Sequence, residues 1–125
     1  MRDCPEHIID KTITAAINVH RAFGPGLLEN VYEQALIIEL QSVGLSVMNQ
    51  VPIPVAYNNV DLGVGFRADI IVEGCLLLEL KAVESILPIH LAQAMTYLKL
   101  TDLKRGFILN FNTTLMKDGI KRVSL

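Results

Sequence analysis

Two charged residues stand two positions apart in the apolar stretch LELKAV, which covers residues 78–83. The alternation of apolar and charged residues predicts a β-strand, in which side chains two apart project from the same face. Glu79 and Lys81 are therefore expected to share one face of this strand. A carboxylate and an ammonium so arranged form either a structural ion pair or part of a site that binds charged ligands.

A third charged group, Asp69, lies in the preceding strand-like stretch FRADIIV, and the turn-forming residues EGC join the two strands. If the connecting loop has three residues, Val72 pairs with Leu76 and Asp69 lies opposite Glu79. A two-residue loop would shift the register and put Asp69 on the other face of the sheet. The first register brings two carboxylates and a lysine together.

Two carboxylates beside a lysine are suited to binding a cation and a phosphate. Neighbouring carboxylates resist joint ionisation unless a cation lies between them, and Mg²⁺ takes oxygen ligands while keeping several waters and a substrate phosphate. A cation held by Asp69 and Glu79 could polarise the phosphate and lower the pKa of a bound water. Lys81 could orient that water or offset charge in the transition state. The alternative is a purely structural ion pair, because the D…ExK pattern is too common to carry a function by itself.

Further polar residues could serve the same site. Glu29 stands early in a predicted helix, where a carboxylate either favours the helix amino terminus or projects toward the sheet as a further ligand. Gln93 and Tyr97 lie four apart on a later predicted helix, as an ordinary side-chain pair or as a polar pair directed at DNA or the site. His20, at the end of the first predicted helix, is interpreted as a capping or core histidine.

Periodicity and turn signals predict the elements that position these residues. Helices are expected over about 5–22, 27–43 and 88–100, with Leu28 and Val31 of the second helix in the core. The stretch NNVDLG is expected to turn the chain. Strands are expected at about 45–50, 52–57, 64–72, 76–82, 106–111 and 119–125. Two helices, antiparallel strands, a helix, a strand and an additional C-terminal strand predict an α+β fold with a central mixed sheet flanked by helices.

Composition limits the size, environment and assembly of the protein. With 125 residues, 51% hydrophobic and 19% charged, the chain is expected to form one domain, 1–125, and disorder is excluded. It has no apolar run that could span a membrane and no secretory signal at its amino terminus. Cys4 and Cys75 are too few for a disulfide framework, which indicates the cytoplasm. The apolar content also predicts self-association as a two-fold homodimer.

The net charge of −2 excludes an overall basic nucleic-acid binder, but the positive charges are unevenly distributed. The last part of the chain carries six cationic residues against Asp102 and Asp118. They are Lys99, Lys104, Arg105, Lys117, Lys121 and Arg122. This local excess forms either a phosphate-facing surface or the solvated ends of strands and helices.

Taken in order, the motifs of the chain resemble those of the GxxExxY protein family. They are Gly26-x-x-Glu29-x-x-Tyr32, Arg67-Ala68-Asp69, Glu79-Leu80-Lys81-Ala82-Val83, Gln93-x-x-x-Tyr97, and NFN at 110–112 followed by KDGIKR at 117–122. That family is grouped with the PD-(D/E)XK nuclease superfamily, which has the restriction-endonuclease-like fold. The resemblance covers nearly the whole chain, and the motifs are specific only in combination.

The resemblance implies a role for each candidate residue. It makes Asp69 and Glu79 metal ligands, and Lys81 the catalytic lysine. Glu29 matches the helix carboxylate that often completes such sites. The pair of Gln93 and Tyr97 matches the QxxxY element of RecB-like nucleases. Where many members of the superfamily have proline before the aspartate, this chain has alanine, which removes no chemistry.

The activity implied by the resemblance is that of a Mg²⁺- or Mn²⁺-dependent nuclease that hydrolyses phosphodiester bonds in DNA. One alternative is a catalytically silent module on the same fold that binds nucleic acid or another protein. Another is a structural homodimer with a purely structural polar cluster. Metal binding discriminates between them, because only the nuclease requires it.

Overall fold

The computed structural model describes residues 1–125 as three helices and a five-stranded sheet. The helices are α1 (Glu6–Phe23), α2 (Glu29–Ser42) and α3 (Pro88–Thr101). The strands are β1 (Val47–Tyr57), β2 (Val60–Val72), β3 (Leu76–Lys81), β4 (Arg105–Asn110) and β5 (Ile120–Ser124), and a short 3₁₀ helix at Met116–Gly119 precedes β5.

The strands lie in the sheet in their order along the chain, from β1 to β5. All neighbours are antiparallel except β3 and β4, which are parallel because α3 carries the chain back across the sheet between them. The predicted α+β fold with a mixed sheet flanked by helices is confirmed. Of the two loop lengths considered between β2 and β3, the structure has the three-residue loop, since Val72 pairs with Leu76.

The helices cover opposite faces of the sheet, and the alternation along β3 shows which side chains each face receives. Leu78 and Leu80 lie in the apolar cluster formed with α1 and α2. Leu77 lies in the second cluster, which includes Ala94 of α3. Because successive side chains of a strand point to opposite faces, Glu79 points to the α3 side.

The loop between α1 and α2 is tied to the core by Tyr32. The phenol group of this fully buried residue donates to the carbonyl of Gly24 at 2.6 Å and accepts from the backbone N–H of Leu27 at 3.1 Å. Its ring stacks on Phe111, with 4.5 Å between the centroids. These contacts fix where α2 begins and so place Glu29, the first residue of that helix.

The expected packing of Leu28 and Val31 in the core is wrong. The side chain of Leu28 is 74% exposed and that of Val31 38% exposed. Leu28 has an extended backbone just before the helix, with φ −69° and ψ 149°. The buried stripe of α2 instead consists of four other residues, Tyr32, Glu33, Leu36 and Leu40. Helical periodicity alone does not decide which of two adjacent stripes faces the sheet.

Two expected boundaries in the first hairpin also differ from the structure. The two short strands expected before residue 58 form one strand, β1, although Gln50 within it has a left-handed φ of 49°. The turn is confined to Asn58 and Asn59, whose φ angles are 50° and 64°. Two residues with positive φ close a hairpin without a longer loop, so β2 begins at Val60.

The excess positive charge of the C-terminal part is partly neutralised by the start of the chain. Arg105 forms ion pairs with Asp3 at 2.9 Å and with Glu6 at 3.2 Å. Elsewhere in this part, the guanidinium group of Arg122 lies 5.5 Å from the ring centroid of Phe107.

No helix has the length and apolar composition needed to cross a membrane. Both cysteines are free and buried.

Candidate active site

Asp69 lies where β2 and β3 separate. The pairing of these strands ends at Ile70 and Leu78, and continuing the register by one residue places Asp69 opposite Glu79. The next free N–H on this edge of β3, that of Leu80, donates to Oδ2 of Asp69 at 2.8 Å. Because ladder N–H groups point along the sheet, this bond places the Asp69 carboxylate in the opening between the strands.

Glu79 is the most unusual ionisable group of the site. Only 8% of its surface is exposed, and its Oε1 atom is buried without a hydrogen-bond partner. Burial raises the pKa of Glu79 to about 9; the adjacent Asp69 carboxylate contributes further to this rise, and Lys81 opposes it. The two carboxylates and the lysine are therefore neighbours, as the β2–β3 register predicted.

Lys81, the last residue of β3, is close enough to lower the pKa of Glu79 but forms none of the ion pairs of the structure. Its backbone carbonyl accepts a hydrogen bond from the N–H of Phe111 at 3.0 Å. Its ammonium group is therefore not neutralised by a direct carboxylate contact within the chain.

The segment after Lys81 is held by Asn110, which is 2% exposed. The side-chain amide of Asn110 donates to the carbonyl of Val83 at 2.9 Å, and its oxygen accepts from the N–H of Val83 at 3.1 Å. This oxygen also accepts from the N–H of Asn112 at 3.2 Å. The buried amide thus fixes the path of the chain just beyond Lys81.

On the α2 side, Asp69 lines a cavity of about 340 Å³. Its other lining residues are Glu29, Asn30, Glu33, Gln50 and Leu80. Glu29, in the first turn of α2, is exposed, yet it lines the same cavity as Asp69. Glu29 therefore shares a cavity with Asp69 but not with Glu79, and its expected role as a further ligand stays a prediction.

Tyr97 of α3 approaches the site on the face of the sheet to which Glu79 points, opposite to the cavity beside α2. Its ring stacks on Phe66 with 3.8 Å between the centroids. The pKa of Tyr97 is raised, chiefly by burial and then by the charges of Glu79 and Asp69, so its phenol group lies near both carboxylates. Gln93, one turn earlier on α3, is exposed.

Comparison with known proteins identifies the family of the chain. A family model described as the PD-(D/E)XK nuclease superfamily matches residues 6–123. The chain belongs to the PD-(D/E)XK nuclease superfamily. No curated protein and no solved structure matches it. The match confirms the superfamily predicted from the motifs, whereas the narrower similarity to the GxxExxY family remains a resemblance.

PD-(D/E)XK nucleases generally use divalent metal ions, and the residues of this chain can be tested against that requirement. No three His, Cys, Asp or Glu side chains are arranged to hold a metal ion by themselves. However, Mg²⁺ is commonly bound through one or two carboxylates, with water and substrate phosphate as the other ligands. Asp69 and the unpartnered Oε1 of Glu79 supply such a pair, so the donor set fits a hard divalent cation.

Two residues near Asp69 were missed by the sequence reasoning. Glu33 is 7% exposed, and its Oε1 accepts from the side-chain amide of Gln50 at 2.8 Å. Glu33 lies four residues after Glu29, and this helical spacing could have identified it as a second acid on the same face. For Gln50, which follows the polar Asn49 in β1, no comparable signal exists.

His20, in contrast, lies outside the cluster of Asp69, Glu79 and Lys81, as expected for a core histidine. It is buried, and its Nε2 atom lies 2.7 Å from the carbonyl oxygen of Thr113. It lines a different cavity, with Arg21 of α1 and Leu115 of the loop after β4.

Proposed function

We propose that this protein is a divalent-metal-dependent nuclease that hydrolyses phosphodiester bonds in DNA, with Asp69 and Glu79 as the ligands of Mg²⁺ or Mn²⁺. The observation that supports this most directly is the buried Oε1 of Glu79, which has no hydrogen-bond partner and lies beside a second carboxylate. Buried polar atoms are almost always paired, and an unpaired carboxylate oxygen is costly. A cation would supply the missing partner.

The location of this oxygen also favours a ligand site over a structural defect. It lies beside the opening between β2 and β3, where Asp69 has already replaced part of the regular hydrogen bonding. Two adjacent carboxylates repel each other unless one is protonated or a cation lies between them. Without a cation, protonation of Glu79 relieves this repulsion, which is consistent with its pKa of about 9.

Several residues of the chain would have separate roles in hydrolysis. When bound, a divalent cation would polarise the scissile phosphate and make water a better nucleophile. Lys81, without a direct carboxylate partner, would offset the negative charge that develops on the phosphate. Glu29 would add negative charge on the α2 side, where it lines the same cavity as Asp69. Tyr97 and Gln93 would contact the DNA backbone from α3, with Tyr97 nearer to the carboxylates.

A second candidate function is a catalytically silent module that binds nucleic acid or another protein on the same fold. It is favoured by one observation, the absence of three groups arranged to hold a metal ion. The two functions differ in their need for a cation. The nuclease requires one for turnover, whereas the silent module binds its partner equally well in the presence of a chelator.

Mn²⁺ titration by calorimetry tests the proposal. The wild-type protein should bind Mn²⁺, and Asp69→Ala should lose this binding together with nicking of plasmid and cleavage of single-stranded DNA. Asp61→Ala is the matched control, because Asp61 is an exposed aspartate of the same strand whose hydrogen bond, to the N–H of Gly63, is local. A wild-type protein that neither binds Mn²⁺ nor cuts DNA would reject the nuclease and favour the silent module.

A further inference from the structure

Gln50 connects three elements of the site through one side-chain amide. Its Nε2 atom donates to Oε1 of Glu33 at 2.8 Å and lies 3.4 Å from Oδ1 of Asp69. Glu33 belongs to α2, Gln50 to β1 and Asp69 to β2. These three residues and Glu29 line the same cavity. The amide therefore lies between a buried carboxylate and a proposed metal ligand.

The backbone of Gln50 is held in a conformation that a side chain other than glycine rarely adopts. Its φ is 49°, and it is the only residue other than glycine inside a strand with a left-handed backbone. The ladder between β1 and β2 pairs Asn49 with Ile70 and Val51 with Ala68, but it leaves out Gln50 and Asp69 between them. Such strain persists where the surroundings enforce it and is concentrated at functional sites.

Both oxygens of the Asp69 carboxylate face a hydrogen-bond donor, one at short and one at long distance. Oδ2 accepts from the N–H of Leu80 at 2.8 Å, and Oδ1 faces the Gln50 amide. Glu33 holds this amide from the other side, at a distance that gives the stronger of the two bonds. Groups that hydrogen-bond to a metal-ligating carboxylate orient it and tune its affinity for the ion.

We infer that Gln50 is a positioning residue for Asp69, with Glu33 as its anchor, and that it orients this carboxylate for a divalent cation. The inference rests on the proposed function in naming the cation, but not in the positioning of Asp69. Gln50 contacts no reacting atom in this role. The left-handed backbone occurs at the same residue as these contacts, at the position that the ladder between β1 and β2 leaves out.

Two variants separate the amide from the backbone strain. Gln50→Gly removes the amide and relieves the left-handed strain, whereas Gln50→Leu removes the amide and keeps the strain. If the amide positions Asp69, both variants should bind Mn²⁺ about 10-fold more weakly than wild type, although only the leucine variant keeps the strained backbone. Asn59→Gly is the matched control, because it relieves a φ of 64° at the tip of the hairpin. It should leave Mn²⁺ affinity unchanged.

The side-chain amide signals of Gln50 in a nitrogen–proton correlation spectrum test the bridge without metal. Glu33→Ala and Asp69→Ala should each shift these signals, and Gln34→Ala, an exposed position of α2, should not. The inference would be overturned if the Gln50 amide signals had the same chemical shifts in both carboxylate variants as in the wild-type protein. Wild-type Mn²⁺ affinity in both Gln50 variants would also overturn it. Wild-type protein that binds no Mn²⁺ overturns the proposed function instead, and the amide signals alone then decide whether Gln50 holds Asp69.

Discussion

The carboxylate of Asp69 accepts a hydrogen bond from the backbone N–H of Leu80, with 2.8 Å between Oδ2 and N. A side chain of one strand thus satisfies a backbone donor of the next strand, just beyond the last residue pair of β2 and β3. The bond fixes Asp69 beside Glu79 without closing the sheet over them. A site that must admit a cation and a phosphate needs such an opening.

Lys81→Ala should separate metal binding from cleavage. A protonated amine has no lone pair for a metal, so the loss of Lys81 should leave Mn²⁺ affinity intact or slightly raised. Cleavage should fall by about 100-fold or more if the ammonium stabilises charge only in the transition state. Calorimetry and nicking assays on the same preparations, with Lys99→Ala as an exposed control, measure both effects. Cleavage at the wild-type rate would make Lys81 a structural residue.

Glu79→Gln should stabilise the metal-free protein at neutral pH. The pKa of Glu79 is about 9 in the folded protein, against an ordinary value of 4.5, so the folded state holds one more proton between these values. The free energy of unfolding should therefore fall as pH rises from about 4.5 to 9. The variant, which cannot ionise, should lose this dependence. Urea denaturation from pH 5 to pH 9 measures it, and Glu84→Gln, at an exposed position, should behave as wild type.

Binding of Mn²⁺ should release close to one proton at pH 7. The raised pKa keeps Glu79 protonated in the metal-free protein, and a carboxylate must lose its proton to bind a metal. The apparent affinity should accordingly increase with pH, by up to about 10-fold for each pH unit below 9. Calorimetry in two buffers of different ionisation enthalpy counts the protons. Binding heats that do not depend on the buffer would contradict Glu79 as a ligand.

Asn110→Ala should destabilise the fold and slow cleavage together. The variant leaves the N–H and the carbonyl of Val83 without the buried partner that now pairs with both, which costs about 2 kcal/mol or more. The chain beyond Lys81 would then lose its support. Asn112→Ala is the control, because this exposed amide reaches the same carbonyl only at 3.3 Å. It should cost less than about 0.5 kcal/mol in urea denaturation; equal costs would contradict the role of Asn110.

The protein should self-associate as a homodimer. Besides the apolar composition, the hairpin formed by β1 and β2 exposes large apolar side chains, among them Tyr57, Val60 and Leu62. Exposed apolar surface of this kind favours association. Light scattering at high micromolar concentration should give twice the mass of the 13.8 kDa chain. A monomer under these conditions would contradict the expectation.

Much of the site could be predicted because the signals were local in sequence. The alternation in LELKAV and the three residues between β2 and β3 were enough to put Asp69 opposite Glu79, and the structure has this register. Period and loop length determine which side chains meet across a hairpin. The mixed α+β architecture followed in the same way from the order of the elements.

Other features depended on packing that no local pattern encodes. The sequence alone could not show that Tyr32 and Glu33, rather than Leu28 and Val31, face the interior, because α2 has apolar residues on adjacent stripes. The burial that leaves Glu79 without a partner also requires the whole sheet and α3. Desolvation depends on every element around a group, so the pKa of Glu79 is a property of the fold.

The sequence by itself therefore determined the identity of the carboxylate pair and limited it to two registers, and the tertiary structure decided between these registers and how the pair is held. Gln50 is 17 residues from Glu33 and 19 from Asp69 along the chain, and only folding brings its amide to both. Local periodicity reports which face a side chain takes. The two contacts of the Gln50 amide join three separate elements, and their distances arise only when those elements pack.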